Sequence, residues 1–496
     1  MPLKIDRTLS ARNLAPKITR LFELSAEKIL RLEKSWDPDK GTPVFTVKGR
    51  YTTRGWTEWT QGFQFGSALL QFDATGDPRF LEIGRANTIR SMATHVSHIG
   101  VHDHGFNNVS TYGNLLRLMG EGKIPGDERE KEFYELALKV SGAVQAARWA
   151  EAADGQGFIY SFNGPHSLFI DTLRSLRSLA LAWRLGHVLM GERDRRISLL
   201  LRLVVHAETT AACGVYYGEG RDAYDVRGRT AHESIFNLND GTYRCPNSQQ
   251  GYSPFSTWTR GLAWAILGFA EQLEFFDTVS EDDCSQHCIP EAPSARTKRA
   301  AKKGASGRVV RSRAGVRAIM LKAAQATADF YLENVSLDGI PMWDTGAPQL
   351  HRLGDYLNKP SDPFNAWEPV DSSAAVIAAQ GLLRLGNYLG GKGKSEAARR
   401  YRQAGLTVAN TLLAEPYLAM DPKHQGLLLH SVYHRPNGWD FVAPGQNVPN
   451  GESSIWGDYH ALELGLMLWR EARGEPYLRF FGGVASPLRK PSRPLR

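Results

Sequence analysis

The sequence predicts an all-α fold in which helices pack on helices and short β-hairpins are confined to the connecting loops. Three observations predict it. Apolar residues recur at steps of three and four over most of the chain, as on one face of an α-helix. The segments do not alternate between strand and helix as they do in proteins with a parallel sheet. Strand-like pieces occur at 214–245 and 427–434, where Gly and Pro flank them, which is typical of loop hairpins.

The helical segments follow one another along the whole chain. The clearest begins at Asp77 and Pro78, an N-cap followed by proline at the first helical position. The predicted helices, twelve in number, cover residues 16–34, 60–74, 78–96, 110–121, 128–150, 172–190, 194–210, 257–276, 315–333, 372–387, 394–413 and 457–473. Antiparallel packing of neighbours makes six helical hairpins, which can close into a toroid.

The helical register continues through the chain with one interruption, so we expect a single domain over residues 1–496. The interruption is 278–313, which begins acidic, ends basic and has almost no large apolar residues. Such a segment cannot bury enough surface to offset the entropy of ordering it. We therefore expect a disordered basic insertion at 278–313, and a flexible tail at 485–496, where Pro and Arg dominate.

The formal net charge of +8 does not indicate a nucleic-acid-binding protein. Nine Lys or Arg residues and no acidic residue lie between Ser294 and Arg317, so the rest of the chain is close to neutral. No apolar run is long enough to span a membrane, and the first residues lack the apolar core of a secretory signal. Four cysteines make no disulfide framework, which favours a reduced, cytoplasmic protein.

Metal binding is not expected, although Cys284, His287 and Cys288 are closely spaced. No second Cys or His cluster with suitable spacing completes a four-ligand site. We expect no metal and no other cofactor. The oligomeric state is left open.

Two aspartates stand out as candidates for acid–base chemistry. Asp103 lies in HDHGF, between two histidines and outside any apolar period. Asp171 lies in HSLFIDTL, after three apolar residues and at the start of a predicted helix. It suits an N-cap, and it also suits a general acid, because an apolar flank raises the pKa of a carboxyl group. The two roles are compatible.

Aromatic side chains are abundant, with 12 Trp, 17 Tyr and 21 Phe, and several stand at predicted helix starts. Polar residues stand beside the rings at these starts. The rings and their polar neighbours are Gln250, Trp258, Arg260 and Trp264 in QGYSPFSTWTRGLAW, Trp456, Asp458 and Tyr459 in GESSIWGDYHALEL, and Trp56 and Trp59 in RGWTEWTQGF. Packing of a large ring explains any one of them, but their repetition favours a ring-lined cleft that binds sugars. Arg260 among indoles is suited to hold the carboxylate of an acidic sugar. The alternative is that Arg260 ties this junction to a neighbouring helix.

Together these segments resemble glycoside hydrolase family 88, the unsaturated glucuronyl hydrolases. The matching motifs are WTQGF, HDHGF, FIDTL, HAETT, QGYS with STWTRGLAW, DSSAAVIAAQGLL and ESSIWGDYHALEL. They run in family order from Trp59 to Leu464, and WTQGF and DSSAA are shared more loosely with the related unsaturated rhamnogalacturonyl hydrolases. The resemblance implies an (α/α)6 barrel, in agreement with the twelve predicted helices.

The resemblance also implies an activity. The family's substrates are oligosaccharides left by polysaccharide lyases, with a C4=C5 double bond in the non-reducing uronic acid. Asp171 matches the acid/base, which would protonate C4 of this enol ether before water adds at C5. Asp103 matches the second essential carboxylate, which would orient the sugar and keep Asp171 protonated by like-charge coupling. The positions matched to the uronate subsite are Trp59, His102, His206, Gln250, Arg260, Trp264 and Tyr459, and we expect Trp258 to bind substrate beside them.

Departures from the family pattern leave the preferred linkage open. His104 stands where an aliphatic residue is more common, Arg174 and Ser175 replace a Met-Asn pair, and the segment at 278–313 is extra. One alternative is an inverting glycosidase or a polysaccharide lyase on the same toroid, acting on uronate-containing glycans. A remoter alternative is a non-enzymatic protein that binds polyanions through the basic insertion.

Overall fold

The computed structural model describes residues 2–55, 58–288 and 311–484. All twelve predicted helical segments lie in these ranges, and each is confirmed as helical. The α-helices are α1 Ala11–Ser35, α2 Gln61–Thr75, α3 Pro78–Ser91, α4 Ala93–Val96, α5 His104–Asn107, α6 Asn114–Gly120, α7 Glu128–Ala147, α8 Thr172–Ser175, α9 Arg177–Arg184, α10 Leu199–Cys213, α11 Thr259–Phe276, α12 Glu281–His287, α13 Arg313–Glu333, α14 Ser372–Gly390, α15 Ser395–Leu412 and α16 Ile455–Arg473. One π-helical turn, Val109–Gly113, joins α5 to α6.

The helices form two concentric rings. The inner ring consists of α2, α5 with α6, α8 with α9, α11, α14 and α16, which contact one another in that order until α16 closes on α2. Every residue of α11 is buried, because an inner helix has neighbours on all sides. The outer ring consists of α1, α3, α7, α10, α13 and α15. Helix α1 is amphipathic, because its buried residues include Leu14, Ile18 and Leu21, three or four positions apart. This is an (α/α)6 barrel, as the sequence predicted.

Close approach between inner helices depends on small residues. Gly381, in the middle of α14, is an example, since a Cβ atom there would lie 2.7 Å from the backbone nitrogen of Leu267 in α11. Glycine in a helix interior costs about 1 kcal/mol of helix propensity relative to alanine. Because Gly381 has no side chain, the backbone of α14 can approach the backbone and the Ile266 side chain of α11 closely.

The strands are short and lie in the loops, as predicted. They are β1 Phe45–Val47, β2 Arg50–Thr52, β3 Trp149–Glu151, β4 Gly157–Ile159, β5 Ser167–Phe169, β6 Leu189–Met190, β7 Arg196–Ile197, β8 Glu233–Phe236 and β9 Tyr243–Asn247. They pair antiparallel as β1 with β2, β3 with β4 and β6 with β7, and β8 pairs with both β5 and β9. The strand-like piece predicted at 427–434 is wrong: it makes only isolated bridges, and the N–H groups of Leu427 and Leu428 donate to the Asp458 carboxylate.

The predicted insertion at 278–313 is wrong at both ends. Residues Glu281–His287 form helix α12, which starts with a capping box between Ser280 and Asp283. Cys284 and Cys288 of this segment are fully buried and anchor it to the barrel, and Arg313 already belongs to α13. Positions 289–310, and the predicted tail at 485–496, lie outside the described residues. Within the described ranges, every helix is too short or too polar to cross a membrane.

A cluster of buried charges fills the interior of the inner ring. Arg174 donates to Glu271 at 3.2 Å and to Glu463 at 2.6 Å, and Arg384 donates to Glu274 at 2.8 Å. Arg177 completes the cluster, 3.7 Å from Glu271, so three arginines face three glutamates. We call these six residues the axial ion cluster. Buried charges of this kind are tolerated because each one is paired and hydrogen-bonded.

Replacing one member should unbalance the axial ion cluster. We expect Arg174→Met to lower the free energy of unfolding by about 3–5 kcal/mol, the usual cost of removing one partner of a buried ion pair. Chemical denaturation of the purified variant measures it, with Arg129→Met, at an exposed position of α7, as the matched control. A variant within about 1 kcal/mol of wild type would contradict this role, since surface substitutions commonly cost no more.

Candidate active site

The inner helices all begin at the same end of the barrel. Trp59 precedes α2, Asp103 precedes α5, Asp171 precedes α8 and Trp258 precedes α11, and these four residues line one cleft. The start of α16 joins them, because the Trp456 ring lies 5.2 Å from the Trp59 ring. A helix N-terminus carries partial positive charge and free N–H groups. Their convergence favours an anionic ligand at this end.

The cleft has a volume of about 640 Å³ and a largely aromatic wall. It is lined by Trp59, Val101, His102, Asp103, Phe106, Phe162, Asp171, Gln249, Gln250, Trp258, Arg260, Trp264, Tyr433, His434 and Trp439. The predicted catalytic residues and the residues expected to bind substrate are all among them, except His206 and Tyr459. The mixture of rings with a few polar groups is typical of small-ligand sites.

Neither His206 nor Tyr459 is among the residues that line the cleft. His206 is on the outer helix α10, where its Nδ1 accepts a hydrogen bond from the Ile159 N–H at 3.0 Å. Tyr459 is more than one turn inside α16, and its ring packs on Phe63 with centroids 4.9 Å apart. Its hydroxyl accepts from Asn114 at 3.4 Å, toward the barrel interior.

Asp458, which the sequence placed at the same helix start, lies away from the cleft. It borders a second cavity of about 500 Å³ between α1, α2 and α16. Its carboxylate accepts hydrogen bonds from the Tyr51 hydroxyl at 2.5 Å and from the Ser453 hydroxyl at 2.7 Å, besides the two backbone N–H groups of the 427–428 segment. Because these bonds occupy both oxygens, Asp458 is a structural residue.

A buried histidine links the two candidate acids. His102 Nε2 lies 3.2 Å from Asp171 Oδ1 and 3.9 Å from Asp103 Oδ1. All three side chains are buried at the bottom of the cleft. When it is protonated, the imidazolium compensates the negative charge of both carboxylates.

The pKa values of the three groups are displaced in different directions. Burial raises the pKa of Asp103, and the charge of Asp171 adds to the rise, which exceeds the opposing effect of His102. Burial also acts to raise the pKa of Asp171, but the hydrogen bond and the charge of His102 outweigh it, so this pKa is lowered. For His102, the two carboxylates outweigh burial and raise the pKa. The expectation that apolar neighbours raise the pKa of Asp171 is therefore wrong, because His102 contacts the carboxylate directly.

Comparison with known proteins gives a consistent result. No family model matches the chain. The unsaturated glucuronyl hydrolase of Bacillus sp. (strain GL1) is 26% identical over 450 residues, which cover 89% of this chain and 94% of that protein. The unsaturated chondroitin disaccharide hydrolase of Streptococcus pyogenes serotype M1 is 23% identical over 469 residues, 92% of each protein. The chain is a relative of the unsaturated glucuronyl hydrolases.

Solved structures agree on the fold. The crystal structure of the Bacillus sp. GL1 unsaturated glucuronyl hydrolase superimposes with a TM-score of 0.64 at 21% identity, covering 92% of this chain and 96% of that one. An unsaturated glucuronyl hydrolase specific for heparin gives a TM-score of 0.65 at 18% identity, covering 94% of this chain and 99% of that one. The barrel is thus the same over nearly the whole described chain.

Two departures from the pattern of these hydrolases have structural explanations. His104 lies outside the cleft wall: its Nε2 donates to the His98 carbonyl at 2.9 Å and its Nδ1 bonds the Ser141 hydroxyl at 3.0 Å. Burial lowers the pKa of His104 to about 4, so the ring is neutral at pH 7. Arg174 belongs to the axial ion cluster.

Ser175 connects the two acidic segments. Its hydroxyl donates to the His102 carbonyl at 2.6 Å and accepts from the Gly105 N–H at 2.8 Å. Gln145 of α7 donates to the same hydroxyl at 2.9 Å. A Cβ atom on Gly105 would lie 2.3 Å from the Ser175 carbonyl oxygen, so only glycine permits this contact. Ser175 therefore holds His102 and its neighbours against the helix that follows Asp171.

Arg260 is bound on all sides by the protein. One terminal nitrogen donates to Asp371 Oδ2 at 3.2 Å and to the Val432 carbonyl, and the other donates to Gln250 Oε1 at 2.8 Å and to the Tyr433 carbonyl at 2.8 Å. The residue is 1% exposed. These bonds occupy the four N–H groups that a bidentate carboxylate contact would use. The geometry agrees with the alternative stated from the sequence, in which Arg260 is a structural tie.

Seven cleft residues were not predicted from the sequence: Val101, Phe106, Phe162, Gln249, Tyr433, His434 and Trp439. Three of them fall in or next to the segment 427–434, whose alternating pattern was interpreted as a hairpin. The aromatic content of YHRPNGW was the signal that could have identified them. Burial and the charge of Arg260 lower the pKa of His434 to about 4, so it faces the cleft as a neutral imidazole.

The partners of Arg260 make its replacement a test between the two roles. We expect Arg260→Lys to lower the free energy of unfolding by about 3–5 kcal/mol, because a lysine leaves Asp371 and two carbonyls without their donors. Thermal unfolding and KM should be measured together. A variant with an unchanged melting temperature and a raised KM would instead support a direct contact with a substrate carboxylate.

The charge on His102 should depend on Asp103. Because the Asp103 carboxylate helps to raise the pKa of His102, the imidazolium persists to higher pH than that of a free histidine. We expect Asp103→Asn to move the titration of His102 to lower pH. NMR of protein with 15N-labelled histidine measures it, with His102→Asn to assign the resonance. An unchanged titration would contradict the coupling.

Proposed function

We propose that this chain is a glycoside hydrolase that removes unsaturated uronic acid from the non-reducing end of oligosaccharides by hydrating its C4=C5 bond. The observation that carries the proposal is the buried cluster of His102, Asp103 and Asp171 at the bottom of an aromatic cleft. The relatives support the substrate class. One neighbouring structure is an unsaturated glucuronyl hydrolase with dGlcA-Glc-Rha-Glc, and another is a variant from Streptococcus agalactiae complexed with dGlcA-GalNAc6S.

We infer that the uronate binds with its ring against the aromatic wall. Trp59, Trp264 and Trp439 offer faces to the apolar side of a sugar, and the amide of Gln250 offers hydrogen bonds. The carboxylate lies in the field of the inner-helix N-termini and of Arg260, whose charge acts through space although its N–H groups are occupied.

Asp171 then transfers a proton to C4. Because the pKa of Asp171 is lowered and that of His102 is raised, the pair favours a carboxylate beside an imidazolium. The proton then passes along the 3.2 Å hydrogen bond from Nε2 to the carboxylate as C4 takes it up. The π electrons of the C4=C5 bond form the new C4–H bond, and the ring oxygen stabilises the cation left at C5. Asp103 keeps the pair charged by holding the pKa of His102 high.

Water completes the reaction. Its oxygen adds to C5 while its proton returns to Asp171 and passes on to His102 Nε2, which restores the starting ion pair and leaves a hemiketal. The hemiketal opens to a ketone at C5, which leaves C1 as a hemiacetal. Collapse of the hemiacetal to an aldehyde breaks the C1–O bond and expels the remaining sugar as an alcohol. One imidazole close to both carboxylates favours this single acid/base over an inverting glycosidase, whose two carboxyl groups act separately on opposite faces of the sugar. No cofactor takes part in this scheme.

We also propose that the protein acts in the cytoplasm. The support is chemical: all four cysteines are unpaired thiols, which a reducing compartment preserves.

Replacement of the acid/base is the direct test. We expect Asp171→Asn to reduce turnover by about 10²–10⁴-fold while the melting temperature changes little, because an amide keeps the shape but cannot deliver a proton. The assay follows loss of the ultraviolet absorbance of the double bond with unsaturated chondroitin, hyaluronan, heparin and gellan fragments. Asp39→Asn, at an exposed position that is not part of the cleft lining, is the matched control.

Two results would contradict the proposal. Activity of Asp171→Asn above about a tenth of wild type would exclude this residue as the acid, given the size of general acid–base effects. An absorbance that rises with a saturated glycan would identify a lyase, which creates the double bond instead of consuming it.

A further inference from the structure

Three aromatic side chains beside the cleft are exposed and have no part in the mechanism above. Tyr252 is 50% exposed, Phe255 46% and Tyr224 49%. The rings of Tyr224 and Phe255 stack with centroids 4.4 Å apart and an interplanar angle of 23°. We call these three residues the rim platform. Half-exposed rings of this size lose favourable burial unless a ligand covers them.

The rim platform adjoins the cleft. Tyr252 and Phe255 lie in the loop 250–258, whose two ends, Gln250 and Trp258, both line the cleft. Tyr224 reaches the same loop from the segment 218–228 by stacking on Phe255. Tyr252 and Phe255 follow the cleft residue Gln250 by two and five positions. A ligand that extends out of the cleft past Gln250 therefore meets these rings.

Both loops are held rigidly. The Tyr252 N–H donates to the buried Asp344 carboxylate at 2.8 Å, and the Thr257 N–H donates to the Thr345 hydroxyl at 3.1 Å. On the other loop the Asp225 carboxylate accepts four backbone N–H groups at 2.8 to 3.1 Å. Because the rings are already positioned, a ligand that stacks on them does not have to order the loops first.

We propose that the rim platform is a further sugar-binding subsite, which holds a pyranose ring of the glycan beyond the residues bound in the cleft. Sugars present flat apolar C–H faces that suit aromatic rings, and a chain cut from its non-reducing end must leave the cleft at its reducing side. The protein then prefers oligosaccharides longer than a disaccharide. This inference rests on the proposed function.

The area favours a sugar over a second copy of the chain. Three half-exposed rings offer on the order of 300 Å² of aromatic surface. A stable protein interface buries about 800 Å² on each partner. Charged residues also border the platform, since Glu219 and Asp222 lie in the Tyr224 loop and are exposed. A small aromatic surface bordered by exposed charges suits a single sugar ring better than the larger apolar surface of a second protein.

The test compares chain lengths. kcat/KM is measured for unsaturated hyaluronan and chondroitin disaccharides and for the corresponding tetrasaccharides, with wild type, Tyr224→Ala and the double variant Tyr252→Ala/Phe255→Ala. We expect the double variant to lose roughly ten-fold in kcat/KM on the tetrasaccharides, through KM, and to keep its activity on the disaccharides. Phe133→Ala, at a 42% exposed ring on the outer helix α7, is the matched control.

Several outcomes would overturn the subsite. Equal efficiency of wild type on both lengths, or variants that leave the ratio between lengths unchanged, contradict it. The surface belongs to a second copy of the chain if two results occur together. The ratio of kcat/KM between the two lengths is unchanged, and sedimentation shows a dimer for wild type but not for the double variant. Calorimetric binding of the tetrasaccharides to Asp171→Asn, with and without the platform substitutions, tests the platform independently of turnover. Absence of any turnover by wild type would contradict only the proposed function.

Discussion

The shared direction of the six inner helices determines where every functional group lies. Because each inner helix starts at the same end of the barrel, six sets of unpaired N–H groups and six helix dipoles meet there. Polar and acidic residues at these starts, such as Asp103, Asp171 and Asp371, satisfy the free N–H groups or pair with cations nearby. The cleft is what remains between them. Its chemistry is thus a consequence of ring closure as much as of any single residue.

A buried imidazole between two buried carboxylates stabilises ionised groups in a site that excludes most water. An isolated carboxylate in the same place would take up a proton, since burial disfavours the ionised form. His102 prevents this for Asp171 by direct hydrogen bonding, and the Ser175 hydroxyl fixes the backbone that carries His102. The arrangement depends on contacts between residues about 70 positions apart in sequence, all of which converge on one short helix.

Local patterns predicted the fold, and they singled out the two aspartates that lie beside His102 in the structure. Outer helices such as α1 are recognisable because one face is apolar and the other polar, and Asp103 was identifiable because no helical period explains it. The roles that failed are those set by partners distant in sequence. Arg260 among indoles suggests a carboxylate clamp until Asp371 and the 432–433 carbonyls are seen to occupy its donors. The pKa of Asp171 was misjudged in the same way, because its apolar flank is visible in sequence and its bond to His102 is not.

Helix α12 bears on how this chain accommodates extra residues. The Arg313 N–H donates to the Glu281 carboxylate at 3.2 Å, so the start of α12 meets the start of α13. The described segments on either side of the connection 289–310 therefore lie close together. The free energy of closing such a connection rises only with the logarithm of its length, about 0.6 kcal/mol for each doubling. The connection can thus lengthen or shorten during evolution at little cost to folding, and relatives with very different lengths at this point can keep the same barrel.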